Sequence, residues 1–243
     1  MTATKKTVIV TGASGDIGTA IVQRLLQDGY DVAACCNSNS GKLEKFFLNQ
    51  PSLSIHKLNL LSDESIKTCA LEIVKIKEYI AGLVNCAGRA TGGIFGMTKI
   101  SDIRELFEVN LFGTLLFIQL IAKKLVRQKA GSIVNIASTA GVFADHGTLA
   151  YGTSKAALIH ASRILAVELG HSGVRVNSIA PAVVESSMAE MMDGVAREKI
   201  HQRGSLPGFT TPSDVADAVA FLISDNAASI SAETIRMDRG MPF

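Results

Sequence analysis

Near its amino terminus the chain reads Thr7-Val8-Ile9-Val10-Thr11-Gly12-Ala13-Ser14-Gly15-Asp16-Ile17-Gly18, a β-branched run followed by three closely spaced glycines. The run predicts a strand at Thr7–Val10, and the apolar periodicity after the glycines predicts a helix from Ile17 to about Asp28. Glycines between a strand and a helix permit a tight turn and let a phosphate approach the backbone amides at the positive end of the helix. The segment therefore predicts the first β-α unit of a dinucleotide-binding fold.

The rest of the chain continues this alternation of short β-branched runs with longer helical periodicities, which indicates a parallel sheet covered on both faces. The further predicted strands are Asp31–Cys36, Ser54–Leu60, Gly82–Cys86, Ser132–Ala137, Val174–Ala180 and Thr234–Asp238, and the further predicted helices are Ser62–Lys77, Ile100–Gln128, Tyr151–Leu169 and Ser213–Ser224. No linker, charge block or internal repeat divides the chain. We therefore expect residues 1–243 to form a single Rossmann-type doubly wound α/β domain, with about seven parallel strands and helices on both faces.

The composition excludes several classes of protein. Of the 243 residues, 47% are apolar and 19% charged, so the chain can bury a large core and is not disordered overall. Its 24 basic and 22 acidic residues leave a net charge of +2, which is unlike a protein that coats nucleic acid. A small-molecule substrate is the better expectation.

The cysteines and apolar stretches indicate a cytoplasmic protein. Cys35, Cys36, Cys69 and Cys86 form no C-x-x-C pair, and no histidine or cysteine has metal-ligand spacing, so reduced thiols and no metal are expected. The amino terminus lacks the apolar region of a signal peptide. The longest apolar stretch, Leu111–Ala122, is shorter than the ~20 residues that cross a bilayer, so no membrane partner is expected.

A tyrosine and a lysine provide a candidate acid/base pair. Tyr151 and Lys155 are four residues apart on a predicted helix and so share one face. Such a pair arises by chance in about half of chains of this length, so the pair alone is a weak signal. Two polar residues accompany it, Ser138 at the end of a predicted strand and Asn110 within a predicted helix. An ammonium group close to a phenol lowers the phenol pKa, which suits acid/base work near neutral pH.

In these residues and in further motifs, the chain resembles the short-chain dehydrogenase/reductase family over essentially its whole length. The matching motifs, in family order, are the Thr11–Gly18 loop, Asn85-Cys86-Ala87-Gly88, Asn110, Ser138, Tyr151-Gly152-Thr153-Ser154-Lys155, Asn177 and Pro181. The resemblance implies reduction of a carbonyl by hydride from nicotinamide, with Tyr151 as proton donor. It further implies that Lys155 lowers the Tyr151 pKa and holds the nicotinamide ribose. Ser138 would hold the substrate oxygen, and Asn110 a water that links Lys155 to solvent.

The same resemblance implies the residues that bind the cofactor. They come from the phosphate loop, the ends of four strands and the catalytic pair: Gly12, Ser14, Gly15, Asp16, Ile17, Gly18, Asn37, Ser38, Asn59, Leu60, Asn85, Ala87, Gly88, Tyr151, Lys155, Pro181, Val184 and Ser186. NADPH is favoured over NADH because neutral Cys36 stands where an acidic residue would bond the ribose 2′-hydroxyl and repel a 2′-phosphate.

This chain departs from the family pattern at several cofactor positions. Asp16 replaces the middle glycine of the phosphate loop, and Asn59 replaces an aspartate after the third strand. Gly15 and Asn37 stand at positions that are often basic in NADPH enzymes, which leaves Lys42 as a nearby charge. The resemblance therefore predicts NADPH with fewer cationic contacts than usual.

Length and the ending Arg236–Met241 most resemble 3-oxoacyl-acyl-carrier-protein reductases of fatty acid biosynthesis, although Arg239 replaces a usual glycine. A lid over the substrate is expected at about 186–209, and its Met188, Met191 and Met192 suit either an acyl-chain contact or packing on the core.

Partners also follow from the resemblance. Lys124, Arg127 and Lys129, beside Lys123, are expected to dock an acidic carrier protein next to the site, with a solvated helix end as the open alternative. The family implies a homotetramer formed through the helices Leu111–Leu125 and Tyr151–Leu169.

Two other functions stay open at this point. The substrate is alternatively a free ketone, polyol, sugar or steroid alcohol, or the protein is a dormant nucleotide-binding regulator. A serine hydrolase is disfavoured because Ser138 lies in Ile136-Ala137-Ser138-Thr139 and not in a G-x-S-x-G turn.

Overall fold

A twisted parallel sheet forms the centre of the molecule. The computed structural model describes residues 5–37, 40–187, 194 and 203–242. Its strands are β1 (Lys6–Thr11), β2 (Asp31–Cys36), β3 (Leu53–Lys57), β4 (Tyr79–Asn85), β5 (Gly131–Ile136), β6 (Val174–Pro181) and β7 (Thr234–Met237). Within these residues the seven strands are all parallel, in the order β3-β2-β1-β4-β5-β6-β7. The predicted doubly wound α/β fold is confirmed.

Helices cover both faces of this sheet. They are α1 (Asp16–Gln27), α2 (Ser40–Phe46), α3 (Asp63–Ile76), α4 (Ile100–Phe107), α5 (Gly113–Gln128), α6 (Leu149–Gly170) and α7 (Pro212–Ile223). Side chains alternate along β1, so that Val8 and Val10 pack with α1 and α7 while Ile9 packs with α3 and α5. Because both faces are buried, the strands are nearly continuous apolar runs.

The strand order reverses between β1 and β4, and this reversal positions the site. The connection from β1 leads to β2 on one side, whereas β4 pairs with β1 on the other side. At such a switch point the loops after the two strands separate and leave a crevice at their carboxyl ends. The Thr11–Gly18 loop and the Asn85–Gly88 segment both leave the sheet at this edge.

Two element predictions needed correction. The third strand ends at Lys57 and not at Leu60. The bond from Leu58 N–H to Cys36 O (2.8 Å) is the last to β2, and the chain then turns towards α3. Helix α2 was not predicted from the sequence, and only one of its residues, Leu43, is buried. A short surface helix with one core contact leaves almost no apolar periodicity to detect.

The predicted helix Ile100–Gln128 is continuous but contains a π-helical turn at Glu108–Phe112, between α4 and α5. By length and composition alone this run is long and apolar enough to cross a membrane, and 56% of its most apolar window is buried inside the protein. Phe117, Ile121 and Leu125 are fully buried in the same apolar layer as α3 and the sheet. We therefore interpret the run as a core helix with an uncovered outer face.

Candidate active site

The phosphate loop is held in a conformation that only glycine accommodates at two positions. Gly12 has a φ of +65°, and a Cβ added there would lie 2.6 Å from the Cα of Ala87. A Cβ added at Gly18 would lie 2.1 Å from the carbonyl oxygen of Gly12. The loop is thus folded tightly on itself and against the segment after β4, where Ala87 N–H also donates to Thr11 Oγ1 (3.1 Å).

Helix α1 begins directly after this loop with open donors. Gly15 is the N-cap residue, and no side chain caps the first turn. By contrast, Ser62 caps α3 and Thr211 caps α7 with side-chain oxygens. Uncapped N–H groups at a helix amino terminus are the donors that bind phosphate.

A groove of about 510 Å³ runs from this helix terminus across the carboxyl ends of β1, β2 and β4. Its walls include most of the predicted cofactor residues, namely Gly12, Ser14, Gly15, Asp16, Ile17, Gly18, Asn37, Asn59, Leu60, Ala87, Gly88 and Ser186. Five further lining residues were not singled out from the sequence, namely Leu58, Leu61, Arg89, Val109 and Ser187. A glycine cradle at an uncapped helix terminus, followed by mixed polar and apolar walls, fits a dinucleotide.

Some predicted cofactor residues lie away from the groove walls. Asn85 is buried and donates from Nδ2 to Asn135 Oδ1 (2.7 Å), so its side chain joins β4 to β5. Pro181 and Val184 are buried at and just after the end of β6. Ser38 lies outside the described residues.

The predicted catalytic residues Ser138, Tyr151 and Lys155 meet beside this groove. Helix α6 carries the tyrosine and the lysine one turn apart, and the Lys155 Nζ lies 5.9 Å from the centroid of the Tyr151 ring. The hydroxyl of Tyr151 is hydrogen-bonded to that of Ser138, which follows β5. The Lys155 side chain is buried and donates from Nζ to Ile136 O (2.8 Å).

Two glycines allow the loop that carries Ser138 to approach α6. A Cβ on Gly141 would lie 2.7 Å from the backbone N of Ala156, and one on Gly152 would lie 2.6 Å from Ala140 O. The serine loop is therefore pressed against the helix at backbone distance. This close packing explains how Ser138 reaches Tyr151. The role of Gly141 was not predicted from the sequence.

Burial controls the acid/base properties of the pair. Burial raises the pKa of Tyr151, and the hydrogen bond from Ser138 opposes this shift only in part. Burial also lowers the pKa of Lys155 to about 8. The predicted lowering of the Tyr151 pKa by Lys155 does not set the net direction of the shift in this structure, where burial dominates and the ammonium group donates to the Ile136 carbonyl. A protonated phenol at neutral pH suits a proton donor.

The Lys155 pKa predicts the pH dependence of the reaction. Below about pH 8 the buried amine is charged, and above it the charge that would stabilise a Tyr151 phenolate is lost. We therefore expect kcat/KM for carbonyl reduction to fall as the pH rises through about 8. Initial rates between about pH 6 and about pH 10 check this, since the free enzyme's essential groups set that profile. A constant kcat/KM from about pH 7 to about pH 9 would contradict the assignment.

Asn110 joins two segments of the site through its side-chain amide. It lies in the π-helical turn, where its Oδ1 accepts from Arg89 N–H (2.9 Å) and its Nδ2 donates to Arg89 O (2.9 Å) and to Ser154 Oγ (3.0 Å). Ser154 Oγ in turn donates to Tyr151 O (2.7 Å). Both amide donors are thus used by protein atoms, so the side chain ties the segment after β4 to α6. The predicted water between Asn110 and Lys155 stays a prediction.

The predicted lid is described only at its two ends. Met188, Met191 and Met192 lie outside the described residues, as do 195–202. At the carboxyl end of the lid, Arg239 donates to Pro207 O (2.8 Å) and to Phe209 O (2.6 Å). Arg239 has a φ of +54°, the left-handed region expected for the glycine that it replaces. Its guanidinium anchors the end of the lid.

The predicted docking cluster is not beside the site of its own chain. Lys124, Arg127 and Lys129 lie at the carboxyl end of α5, where the chain enters β5. Ser138 follows the opposite end of that strand, which at about 3.3 Å per residue is roughly 20 Å away. Within one chain, therefore, the cluster and Ser138 lie at opposite ends of β5.

Comparisons with known proteins cover nearly the whole chain. Residues 12–242 match a family model described as enoyl-(acyl carrier protein) reductase. The chain is 35% identical over 242 residues to the 3-oxoacyl-(acyl-carrier-protein) reductase FabG of Aquifex aeolicus, with 97% of each covered. It is 36% identical over 241 residues to L-xylulose reductase of Caenorhabditis elegans, covering 98% of this chain and 96% of that protein.

A solved structure of a related protein also has a similar three-dimensional fold. A short-chain type dehydrogenase/reductase from Mycobacterium ulcerans superposes with a TM-score of 0.91 at 26% identity, over 97% of this chain and 89% of that one. The similarity in sequence and in structure thus spans both the groove and the catalytic cluster.

Proposed function

The chain belongs to the short-chain dehydrogenase/reductase family and is an NAD(P)-dependent oxidoreductase acting on CH–OH and C=O groups, and we propose that it reduces 3-oxoacyl thioesters to 3-hydroxyacyl thioesters with NADPH. The observation that carries this proposal is the meeting of Ser138, Tyr151 and Lys155 beside a dinucleotide-sized groove. The similarity to a 3-oxoacyl-(acyl-carrier-protein) reductase supports the substrate class.

The proposed mechanism assigns one proton-handling role to each side chain. Hydride donation to the carbonyl carbon is the chemistry that NADPH supplies when bound. Ser138 Oγ donates a hydrogen bond to the carbonyl oxygen and fixes its position next to Tyr151. The Tyr151 hydroxyl gives its proton to that oxygen as negative charge develops there. The Lys155 ammonium, buried on the same face of α6, stabilises the phenolate that remains.

Charges at the adenosine end of the groove support NADPH. Cys36 and Asn37, at and after the end of β2, line the groove and carry no negative charge. An acidic side chain there would repel a 2′-phosphate. The ammonium of Lys42 reaches the edge of the groove, 2.8 Å from Asp16.

An apolar rim supports an acyl substrate over a sugar. The segment after Arg89 carries the exposed side chains of Ile94, Phe95 and Met97. It is tied to the segment between Ser138 and α6 by a hydrogen bond from Gly93 N–H to Gly147 O (3.0 Å). An apolar chain attached to the reacting carbonyl would contact these groups, whereas a polyol would gain little from them.

The similarity to L-xylulose reductase keeps a sugar ketone as the second candidate substrate. Steady-state kinetics with acetoacetyl-CoA and with L-xylulose, each with NADPH and with NADH, separates the two. The proposal expects the highest kcat/KM for the thioester with NADPH. A higher kcat/KM for L-xylulose would show that the proposed thioester substrate is wrong, and a preference for NADH would show that the proposed cofactor is wrong. Absence of turnover across a carbonyl panel, with NADPH bound, would favour a dormant regulator.

A second copy of the chain would complete the proposed assembly, a cytoplasmic homotetramer. Exposed apolar side chains lie on the outer face of this helix pair, namely Phe112 in the π-helical turn before α5, and Ile164 and Val167 on α6. In a two-fold contact through this face the same helices pair with each other. If the two-fold axis is perpendicular to α5 and α6, the paired helices of the two subunits run antiparallel. This arrangement brings Lys129 of one subunit towards the active-site end of the sheet in its partner.

The proposed docking of an acyl carrier protein is tested by charge reversal. Lys124→Glu combined with Lys129→Glu is expected to raise KM for acetoacetyl-carrier protein by about tenfold, because an acidic partner loses two favourable charges. KM for acetoacetyl-CoA should stay the same, since it has no carrier to dock. Lys67→Glu on α3 is the matched control, and its side chain is 57% exposed. An unchanged KM for the carrier-bound substrate in the double variant would refute the docking site.

A further inference from the structure

The phosphate loop contains its own anion. Asp16, in the first turn of α1, lines the groove, and its carboxylate accepts hydrogen bonds from Lys42 Nζ (2.8 Å), Ser187 N–H (2.8 Å) and Ser187 Oγ (2.7 Å). These contacts, that to Lys42 first, lower the pKa of Asp16 to about 2. The carboxylate is therefore charged throughout the neutral range.

The groups around this carboxylate are those that proteins use to bind phosphate. They comprise an ammonium, a backbone N–H, a hydroxyl and the positive end of a helix. Asp16 stands where the family pattern has a glycine. A glycine has no side chain, so it would leave the ammonium, the N–H, the hydroxyl and the helix terminus available to a phosphate. The Asp16 side chain thus takes contacts that a cofactor phosphate would otherwise receive.

Lys42 connects this anion to the adenosine end of the groove. It lies on α2, which follows the end of β2, and Cys36 and Asn37 at that end line the same groove. Its side chain is 35% exposed, so the ammonium is free to reorient. Arg89, a second cation of the groove, is paired with Glu105.

We propose that the Asp16–Lys42 pair sets the discrimination between NADPH and NADH in this protein, with Lys42 as the cation for the 2′-phosphate and Asp16 as its competitor. This inference rests on the proposed use of the cofactor groove. When a 2′-phosphate enters, Lys42 exchanges the carboxylate for the doubly charged phosphate. NADH offers no such group, so Lys42 stays on Asp16.

Opposite effects are expected from the two single variants. Asp16→Asn removes the competing charge and keeps the side-chain size, so the preference for NADPH over NADH should rise about threefold to tenfold. Lys42→Met removes the cation and keeps most of the stem, so the preference should fall about tenfold. In the double variant the preference should equal that of Lys42→Met, because Asp16 acts on the 2′-phosphate through Lys42.

The measurement is the Kd of each dinucleotide by isothermal titration calorimetry, on wild type and on the three variants. Lys45→Met is the matched control, because Lys45 lies on the same helix and is exposed, and it should leave the ratio of the two Kd values unchanged. Asp16→Gly, which restores the expected glycine, should also raise the preference for NADPH. Raising the salt concentration should weaken each effect.

The inference is overturned if Asp16→Asn and Lys42→Met change both Kd values by the same factor, or if Asp16→Asn and Asp16→Gly both weaken NADPH binding in proteins that melt like wild type. Failure of the proposed function is a separate result. It would show in wild type itself, as tighter binding of NADH or as absence of thioester reduction. The ratio of Kd values in the variants still reports whether Lys42 contacts the 2′-phosphate.

Discussion

Replacing Tyr151 by phenylalanine is expected to lower kcat for carbonyl reduction by about a thousandfold, because a positioned general acid typically contributes 10²–10⁴ in rate. The phenol is the group hydrogen-bonded to Ser138, and Lys155 lies on the same helix face. Phenylalanine keeps the ring and removes only the hydroxyl. The Kd for NADPH should therefore change little, which separates lost chemistry from lost binding.

Tyr79→Phe serves as the control for this variant. Tyr79 is the first residue of β4, so it lies at the amino-terminal end of the strands, and the groove lies at their carboxyl ends. Loss of its hydroxyl should therefore leave kcat unchanged. Steady-state and single-turnover rates with acetoacetyl-CoA provide the measurement. If Tyr151→Phe keeps kcat within about threefold of wild type, the general-acid role is excluded on the usual magnitude of such catalysis.

Gly18→Ala is expected to abolish cofactor binding by deforming the phosphate loop. The added methyl would lie 2.1 Å from Gly12 O and 2.8 Å from the Cα of Ala13, and both are backbone atoms that a side-chain rotation cannot move. The loop must open, which should cost about 3 kcal/mol of folding stability, as other overpacked sites do. We expect the Kd for NADPH to rise by at least about a hundredfold, since the phosphate amides lose their positions.

A second glycine-to-alanine variant controls for the change of residue type. A Cβ on Gly170, at the end of α6, would meet nothing within 4 Å. Gly170→Ala should therefore keep NADPH affinity and raise stability by about 0.5 kcal/mol, because alanine loses less backbone entropy in a helix. Chemical denaturation and calorimetric titration check both variants. Wild-type affinity in Gly18→Ala would show that the loop has another way to hold phosphate.

The sheet and the phosphate loop were predictable because they depend on local patterns. Runs such as Thr7–Val10 and Asp31–Cys36 are apolar on both faces, which is typical of buried parallel strands. Glycine spacing between β1 and α1 marked the loop. Sequence also placed Tyr151 and Lys155 on one face, because a helix has a fixed period.

Contacts between distant segments were not predictable. The sequence shows nothing that links Asp16 to Lys42, 26 positions away, or to Ser187, 171 positions away. Asn110 was recognised as a polar residue in a helix, but its clamp on Arg89 depends on the π-helical turn. The rise in the Tyr151 pKa was not predictable for the same reason, since burial and the Ile136 carbonyl are tertiary features.

Transfer of deuterium to acetoacetyl-CoA from NADPH that carries deuterium at both C4 positions of the nicotinamide tests the central proposal most directly. Mass spectrometry of the 3-hydroxybutyryl product reads the result, because hydride transfer to the carbonyl carbon leaves one deuterium on C3. We expect this singly labelled product with wild type and a rate lower by about a thousandfold with Tyr151→Phe. An unlabelled product, or no product under conditions in which NADPH is bound, would contradict it.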